Sequence, residues 1–251
     1  MNPGNCATAI NCCPIVELRQ YTLVSGKRDV LIELFEREFI ETQESVGMKV
    51  IGQFRDLDNP NRFVWLRGFP DMASRAKSLA DFYSGAVWKK YRDQANATMV
   101  DSDNVLLLRP ASPTSGFAFG NERASWGTNN DPGGLLVATI YYLQPCTSGN
   151  FVGFFEQSIK PLLTVSGASI LASFVTENSV NTFPGLPVRE GEHVFVWFSR
   201  FDEVAAYEDH INALARAPRW SGDAWAELGR RFSRVPETLR LSPTARSLLR
   251  G

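Results

Sequence analysis

Histidine is almost missing from this chain: among 251 residues there are two, His193 and His210. Cysteine is hardly commoner, with Cys6, Cys12 and Cys13 in the opening segment and Cys146 alone in the body. Neither a Cys-x-x-Cys pair nor a His-Glu-x-x-His run occurs, which excludes zinc sites of the usual spacing. The early cysteines read as thiols of a flexible tail covering residues 1–14. A glycine-rich phosphate loop and a nucleophile elbow are lacking too, which removes the nucleotide and hydrolase chemistries they serve. Charge of one sign is not in excess, since 26 Lys and Arg stand against 27 Asp and Glu. Nothing is left over to neutralise a phosphate backbone, so no nucleic-acid partner is expected. The C-terminal arginines, Arg230, Arg231, Arg234, Arg240, Arg246 and Arg250, read as a solvated surface. No apolar run reaches the ~20 residues that span a bilayer, and no membrane span is expected. The opening residues have neither the basic start nor the apolar core of a secretory signal, so the expected compartment is the cytoplasm.

What the chain does have is a recurring aromatic frame, within a composition of 44% hydrophobic and 12% aromatic residues that can fill a real core. Arg62-Phe-Val-Trp-Leu-Arg-Gly-Phe-Pro-Asp71 returns as Val194-Phe-Val-Trp-Phe-Ser-Arg-Phe-Asp-Glu203, and Phe63/Phe195, Trp65/Trp197 and Phe69/Phe201 are each 132 apart. Upstream, Tyr21/Tyr141, Phe35/Phe155, Glu36/Glu156, Gly47/Gly167 and Phe54/Phe174 are each 120 apart, while Trp88/Trp220 keeps the 132 spacing. The echo marks one structural unit built twice, with 132 − 120 = 12 residues inserted in the second copy between Asn178 and Glu192.

Within the first copy, the spacing predicts a strand over Val16–Leu23, an amphipathic helix over Asp29–Val46 ended by Gly47, and a strand over Met48–Asp56. A turn at Asn59-Pro60, a strand over Arg62–Phe69, a helix capped by Asp71 and a strand over Val105–Arg109 follow. That order is the ferredoxin-like βαββαβ unit, which leaves one sheet face bare. Two tandem units packed sheet to sheet cover each other's bare faces. The expected fold is α+β, with units at 15–112 and 135–251, a Ser/Gly/Asn/Pro-rich linker at 113–134, and a C-terminal tail of about ten residues.

Glu17-Leu-Arg-Gln-Tyr-Thr-Leu23, Gly47-Met-Lys-Val-Ile-Gly-Gln-Phe54, Phe63-Val-Trp-Leu-Arg-Gly-Phe69 and Asn104-Val-Leu-Leu-Leu-Arg-Pro110 together resemble a NIPSNAP domain, closely over about residues 15–112. The resemblance implies the dimeric α+β barrel fold. It carries over no catalytic residue. The wider relatives of that fold include cofactor-free quinone-forming monooxygenases, haem-degrading enzymes, polyketide cyclases and lactone isomerases, and fold alone does not choose among them.

Strand alternation gathers Glu17, Arg19, Tyr21, Gln53, Arg55, Trp65 and Arg67 on one face of the first copy. One reading makes this a pocket in which Arg19, Arg55 and Arg67, with Gln53, hold a substrate carboxylate or enolate, Tyr21 or Glu17 moves a proton, and Trp65 stacks on a ring. The other makes it an internal ion pair with arginines reaching the rim. The second copy keeps Tyr141 and Trp197 but has Val137, Thr139, Ser173, Val175 and Ser199 where the first has Glu17, Arg19, Gln53, Arg55 and Arg67. The expected function is a small-molecule enzyme without a tightly bound cofactor, oxygenating, isomerising or cyclising an aromatic or polyketide-like acid. A non-catalytic binding or scaffold protein is the alternative. A haem enzyme using His210, three residues after Tyr207 on a helix, is the third. The expected partner is a small-molecule ligand, and the chain either stands alone or pairs as a homodimer beyond its internal pseudo-dimer.

Overall fold

The computed structural model describes residues 13–119, 122–127, 133–145 and 147–250. Its strands are β1 (Ile15–Leu23), β2 (Lys49–Asp56), β3 (Arg62–Phe69), β4 (Met99–Asp101), β5 (Val105–Pro110), β6 (Leu135–Tyr142), β7 (Ser169–Thr176), β8 (Val194–Phe201) and β9 (Glu237–Pro243). All pairings are antiparallel. Following them from β1 through β3, β2, β9, β6, β8, β7 and β5 leads back to β1, so eight strands close into a barrel and β4 is added at one end of β1. Within it the runs β5-β1-β3-β2 and β9-β6-β8-β7 meet edge to edge at β2–β9 and β5–β7. Closure leaves no long unpaired edge on either run.

Alternation along each strand separates two environments. Val16, Leu18, Val64, Leu66, Leu106 and Leu108 from one run and Leu136, Ala138, Ile140, Val196 and Phe198 from the other fill the interior. From the connection between the runs, Phe117 joins them, its ring 5.0 Å from both Phe174 and Phe198. The opposite faces are covered by helices. The first run carries α1 (Arg28–Leu34), a π-helical turn (Phe35–Phe39), α2 (Ile40–Ser45), α3 (Met72–Ser84) and α4 (Ala86–Asn96). The second carries α5 (Ser148–Phe154), a π-helical turn (Phe155–Ile159), α6 (Lys160–Val165), α7 (Val204–Arg216), a third π-helical turn (Trp220–Ala224) and α8 (Trp225–Gly229). Pro161 falls in the first turn of α6, directly after the π-helical turn, where its missing N–H costs little. Gly47 (φ +93°) and Gly167 (φ +110°) end the corresponding helices in the left-handed conformation that suits glycine.

Two expectations about the ends of the chain are corrected. The C-terminal segment is no tail: Thr244, Arg246, Ser247, Leu248 and Leu249 are buried against the first run. The Arg246 amide and the Thr244 hydroxyl both donate to Glu36 Oε1, at 3.0 and 2.5 Å, and the Arg246 guanidinium pairs with Glu41, so Arg246 is not part of a solvated surface. Cys13 is buried, disulfide-bonded and packed where a Cβ on Gly68 would fall, so it is not an open-tail thiol. Cys6, Cys12 and Cys146 lie outside the described residues. At the dock of the C-terminal segment, a Cβ on Gly52 would sit 2.4 Å from Phe54 Cζ and 2.9 Å from Ser247 Oγ. Gly52→Ala is therefore expected to cost about 1–3 kcal/mol through overpacking, read as a lower urea midpoint with an unchanged slope.

Candidate functional site

Because strand alternation gives each β-run one face toward the barrel and one toward the helices, the polar face read from the sequence lies outside the barrel, under the helices. In register, Glu17 faces Arg67, Arg19 faces Trp65 and Tyr21 faces Phe63. Glu17 is fully buried and is held by three guanidinium groups: Arg19 Nη1 at 2.7 Å, Arg67 Nε at 2.8 Å and Arg75 Nε at 2.6 Å. Burial alone would raise the Glu17 pKa, but the charges of Arg67, Arg19 and Arg75 hold it well below the usual carboxylate range. Arg19 Nε also donates to the Tyr21 hydroxyl at 3.0 Å, and burial pushes the Tyr21 phenol up, so it stays protonated.

Five of the expected residues, Glu17, Arg19, Tyr21, Trp65 and Arg67, are thus brought together, and Gln53 lies beside Trp65 with its amide buried and unpartnered. Arg55 is not among them. It sits near the end of β2, is 36% exposed and pairs with Asp29. Arg75 escaped the strand-based reading because it comes from a helix. Its signal was there: Arg75, Leu79 and Phe82 fall at i, i+4 and i+7, so a charged residue occupies the buried stripe of α3. The space left beside the cluster, among Tyr21, Gln43, Trp65, Tyr83 and Trp88, is a crevice of only about 30 Å³.

The same frame in the second run holds smaller side chains. Val137 faces Ser199, Thr139 faces Trp197 and Tyr141 faces Phe195, positions 120 and 132 beyond their first-run counterparts. Where Glu17, Arg19 and Arg67 fill the layer in one half, Val137, Thr139 and Ser199 leave a cavity of about 270 Å³ in the other. Leu163, Tyr207, His210, Leu214, Trp220 and Trp225 complete its apolar wall. The few polar groups are distinctive. Trp197 Nε1 and Ser199 Oγ are buried without a hydrogen-bond partner, which leaves two donors unspent just beneath the cavity surface. His210 is 3% exposed, and its Nδ1 lies 3.1 Å from the Ser166 carbonyl oxygen. Burial lowers the His210 pKa, opposed by that hydrogen bond, so the ring is neutral at pH 7. A neutral ring donating from Nδ1 has Nε2 as its acceptor. Burial likewise pushes the Tyr141 phenol well above its usual range, opposed by the neighbouring Trp197 indole N–H, which lies outside hydrogen-bond geometry.

The fold-implied haem can be tested against this lining. The cavity of about 270 Å³ lies just below the ~300–1,000 Å³ of pockets that take drug-sized ligands, and among the described residues its lining contains no Lys or Arg to meet haem carboxylates. His210 lines the cavity, but the cavity does not fit the macrocycle.

A closed antiparallel barrel with helix-covered outer faces defines a fold class shared with known structures. A candidate monooxygenase from Fusobacterium nucleatum subsp. nucleatum aligns over 92% of this chain and 92% of its own, at 10% identity and a TM-score of 0.56. An anthrone oxidase-like protein aligns over 92% and 91%, at 13% identity and a TM-score of 0.50. The NIPSNAP family model matches residues 16–113, and the chain belongs to the NIPSNAP family. An uncharacterized NIPSNAP-like domain protein from Burkholderia xenovorans is 31% identical over 39% of this chain and 85% of its own, with a TM-score of 0.36. Comparison with curated proteins gives no match.

Proposed function

We propose that this chain is a small-molecule enzyme of the monooxygenase type, working without a tightly bound cofactor in the second-run cavity. Its substrate class is a neutral, planar aromatic ketone or phenol with an acidic C–H. The observation that carries the reading is the pairing, in one apolar cavity, of two unspent donors, Trp197 Nε1 and Ser199 Oγ, with a neutral buried imidazole. His210 Nε2 removes the proton, and the two donors stabilise the oxygen on which the enolate charge develops. Dioxygen then adds to the carbanion, and the resulting hydroperoxide loses water to leave a carbonyl. One oxygen atom goes into product and one into water. Proton removal would equally open an isomerisation. Among the described residues that line the cavity there is no Lys or Arg, and Arg240, which faces Val137 across the β6–β9 pairing and acts on Tyr207, is already paired with Asp58, which argues against the acid expected from sequence.

The two runs are further read as copies of one ferredoxin-like module. In support, the π-helical turns at Phe35 and Phe155, and the β2 and β7 register shifts after Val50 and after Ile170, recur at 155 − 35 = 120 and 170 − 50 = 120. The names of two fold neighbours, a monooxygenase candidate and an anthrone oxidase-like protein, agree with the chemistry but do not establish it. Among the described residues, no helix is long and apolar enough to cross a membrane, and the cytoplasmic placement is kept as a proposal.

Anthrone in air is the test substrate, followed as oxygen consumption and as the absorbance of the quinone. Turnover is expected from the wild type and should vanish in Ser199→Phe, which fills the cavity while keeping an apolar layer. Saturable anthrone binding without turnover would leave the non-catalytic binding reading. A protein that neither binds nor converts anthrone, or whose binding survives Ser199→Phe, removes the site.

A further inference from the structure

The loop between β7 and β8 spans residues 177–193, 17 residues, whereas the matching β2–β3 loop spans 57–61, 5 residues, and 17 − 5 = 12. The added length does not hang in solvent. It crosses to the other half as a strap and lands on the layer holding Glu17, Arg67 and Arg75. Asn181 Oδ1 and Thr182 Oγ1 accept from Arg75 Nη1 at 3.0 and 3.3 Å. The Phe183 ring stacks on Tyr83 with centroids 5.9 Å apart and planes at 26°, and Tyr83 is in turn packed on Trp88. The far end is tied separately, by Arg189 to Asn104 and to the Tyr142 hydroxyl.

Two neighbouring oxygens on a guanidinium and a phenyl ring on an aromatic shelf are what an aromatic carboxylate would present. The strap supplies them with neutral atoms. Beneath it three guanidinium groups face one carboxylate, and Arg67 Nη2 and Arg75 Nη2 are buried without a partner. An incoming carboxylate would add charge-assisted bonds that an amide and a hydroxyl cannot. We propose that the helix-covered layer of the first run is a second ligand site, for an aromatic carboxylate, kept shut by the strap's Asn181, Thr182 and Phe183 standing in the ligand's place. The present crevice of about 30 Å³ admits no such molecule, so binding requires the strap to lift. Apparent affinity is then reduced by the fraction of molecules that are open. This site is independent of the second-run cavity.

Phenylacetate is the probe, titrated calorimetrically into the full chain and into a variant in which residues 180–187 are replaced by Gly-Ser-Gly, with Arg189 and Glu192 retained. The shortened strap is expected to tighten binding about tenfold or more, as the open fraction rises toward one. Arg75→Gln in that background should abolish the binding, and His210→Ala should leave it unchanged. Should the shortened chain fold poorly, Phe183→Ala tests the same direction in the full-length loop, and Asn181→Asp, which sets a carboxylate against Arg75, should weaken binding instead. Equal affinity in closed and opened chains, no heat in either opened variant, binding that survives Arg75→Gln, or binding lost on His210→Ala would each overturn the proposal.

Discussion

Glu17→Gln is expected to destabilise the protein by about 3–5 kcal/mol, the usual cost of removing one partner from a buried, hydrogen-bonded ion pair. The substitution keeps the shape of the side chain but deletes the carboxylate that Arg19, Arg67 and Arg75 share. It also turns one acceptor oxygen into an N–H pointed at guanidinium donors. Chemical denaturation would show the loss as a shifted midpoint. Arg75→Leu should cost less in the Glu17→Gln background than alone, because the two residues interact directly. The pH dependence has a fixed sign. The folded Glu17 pKa is depressed below its ordinary ~4.3, so the unfolded chain binds the extra proton and the contribution is complete above that ordinary value. It is lost as pH falls through the depressed folded value. The stability gap between wild type and Glu17→Gln should therefore hold through neutral pH and close progressively in acid. A gap under 1 kcal/mol at pH 7 would mean that the guanidinium groups find other partners.

This cluster also marks how far the sequence could be read. Period-two alternation assigned Glu17, Arg19, Tyr21, Trp65 and Arg67 to one face because a strand permits only two, and the register between β1 and β3 follows from that. Alternation is silent on what lies over the face. Arg75 comes from a helix 58 residues beyond Glu17, and the strap oxygens 106 and 107 residues beyond Arg75, and no local pattern encodes such distances. The position of the insertion was readable from the change of spacing, but not that it crosses to the other half. The C-terminal segment failed for another reason. Arg246 looked like a surface residue because its partners, Glu36 and Glu41, lie some 200 residues upstream on the first helical layer. The charged run drew the site assignment since side chains are visible in a sequence and space is not. Val137, Thr139 and Ser199 matter for the room they leave under an unchanged aromatic frame.

His210→Ala is expected to lower kcat/KM for anthrone by about 10²–10⁴, the range for loss of a positioned general base. The geometry sets the role: with Nδ1 tied to the Ser166 carbonyl, the neutral ring has Nε2 as its acceptor, and among the described residues the cavity lining contains no carboxylate to replace it. Its pH behaviour separates a base from a packing residue. Burial depresses the folded pKa below the ordinary ~6.5, so the wild-type rate should stay level below pH 6.5 and then fall with a one-proton slope as Nε2 is protonated. Stability should carry the same signature. Between the folded and the ordinary pKa the unfolded chain binds more protons, so stability is lost as pH falls across that window. His210→Ala should flatten both limbs. Residual activity within twofold of wild type, with the acid limb intact, would place proton removal on another group, and the protonated Tyr141 phenol could not take that role at neutral pH. If instead the acid limb of stability flattens while turnover is untouched, His210 is a buried structural imidazole, and the two unspent donors on Trp197 and Ser199 would have to orient a ligand without reacting with it.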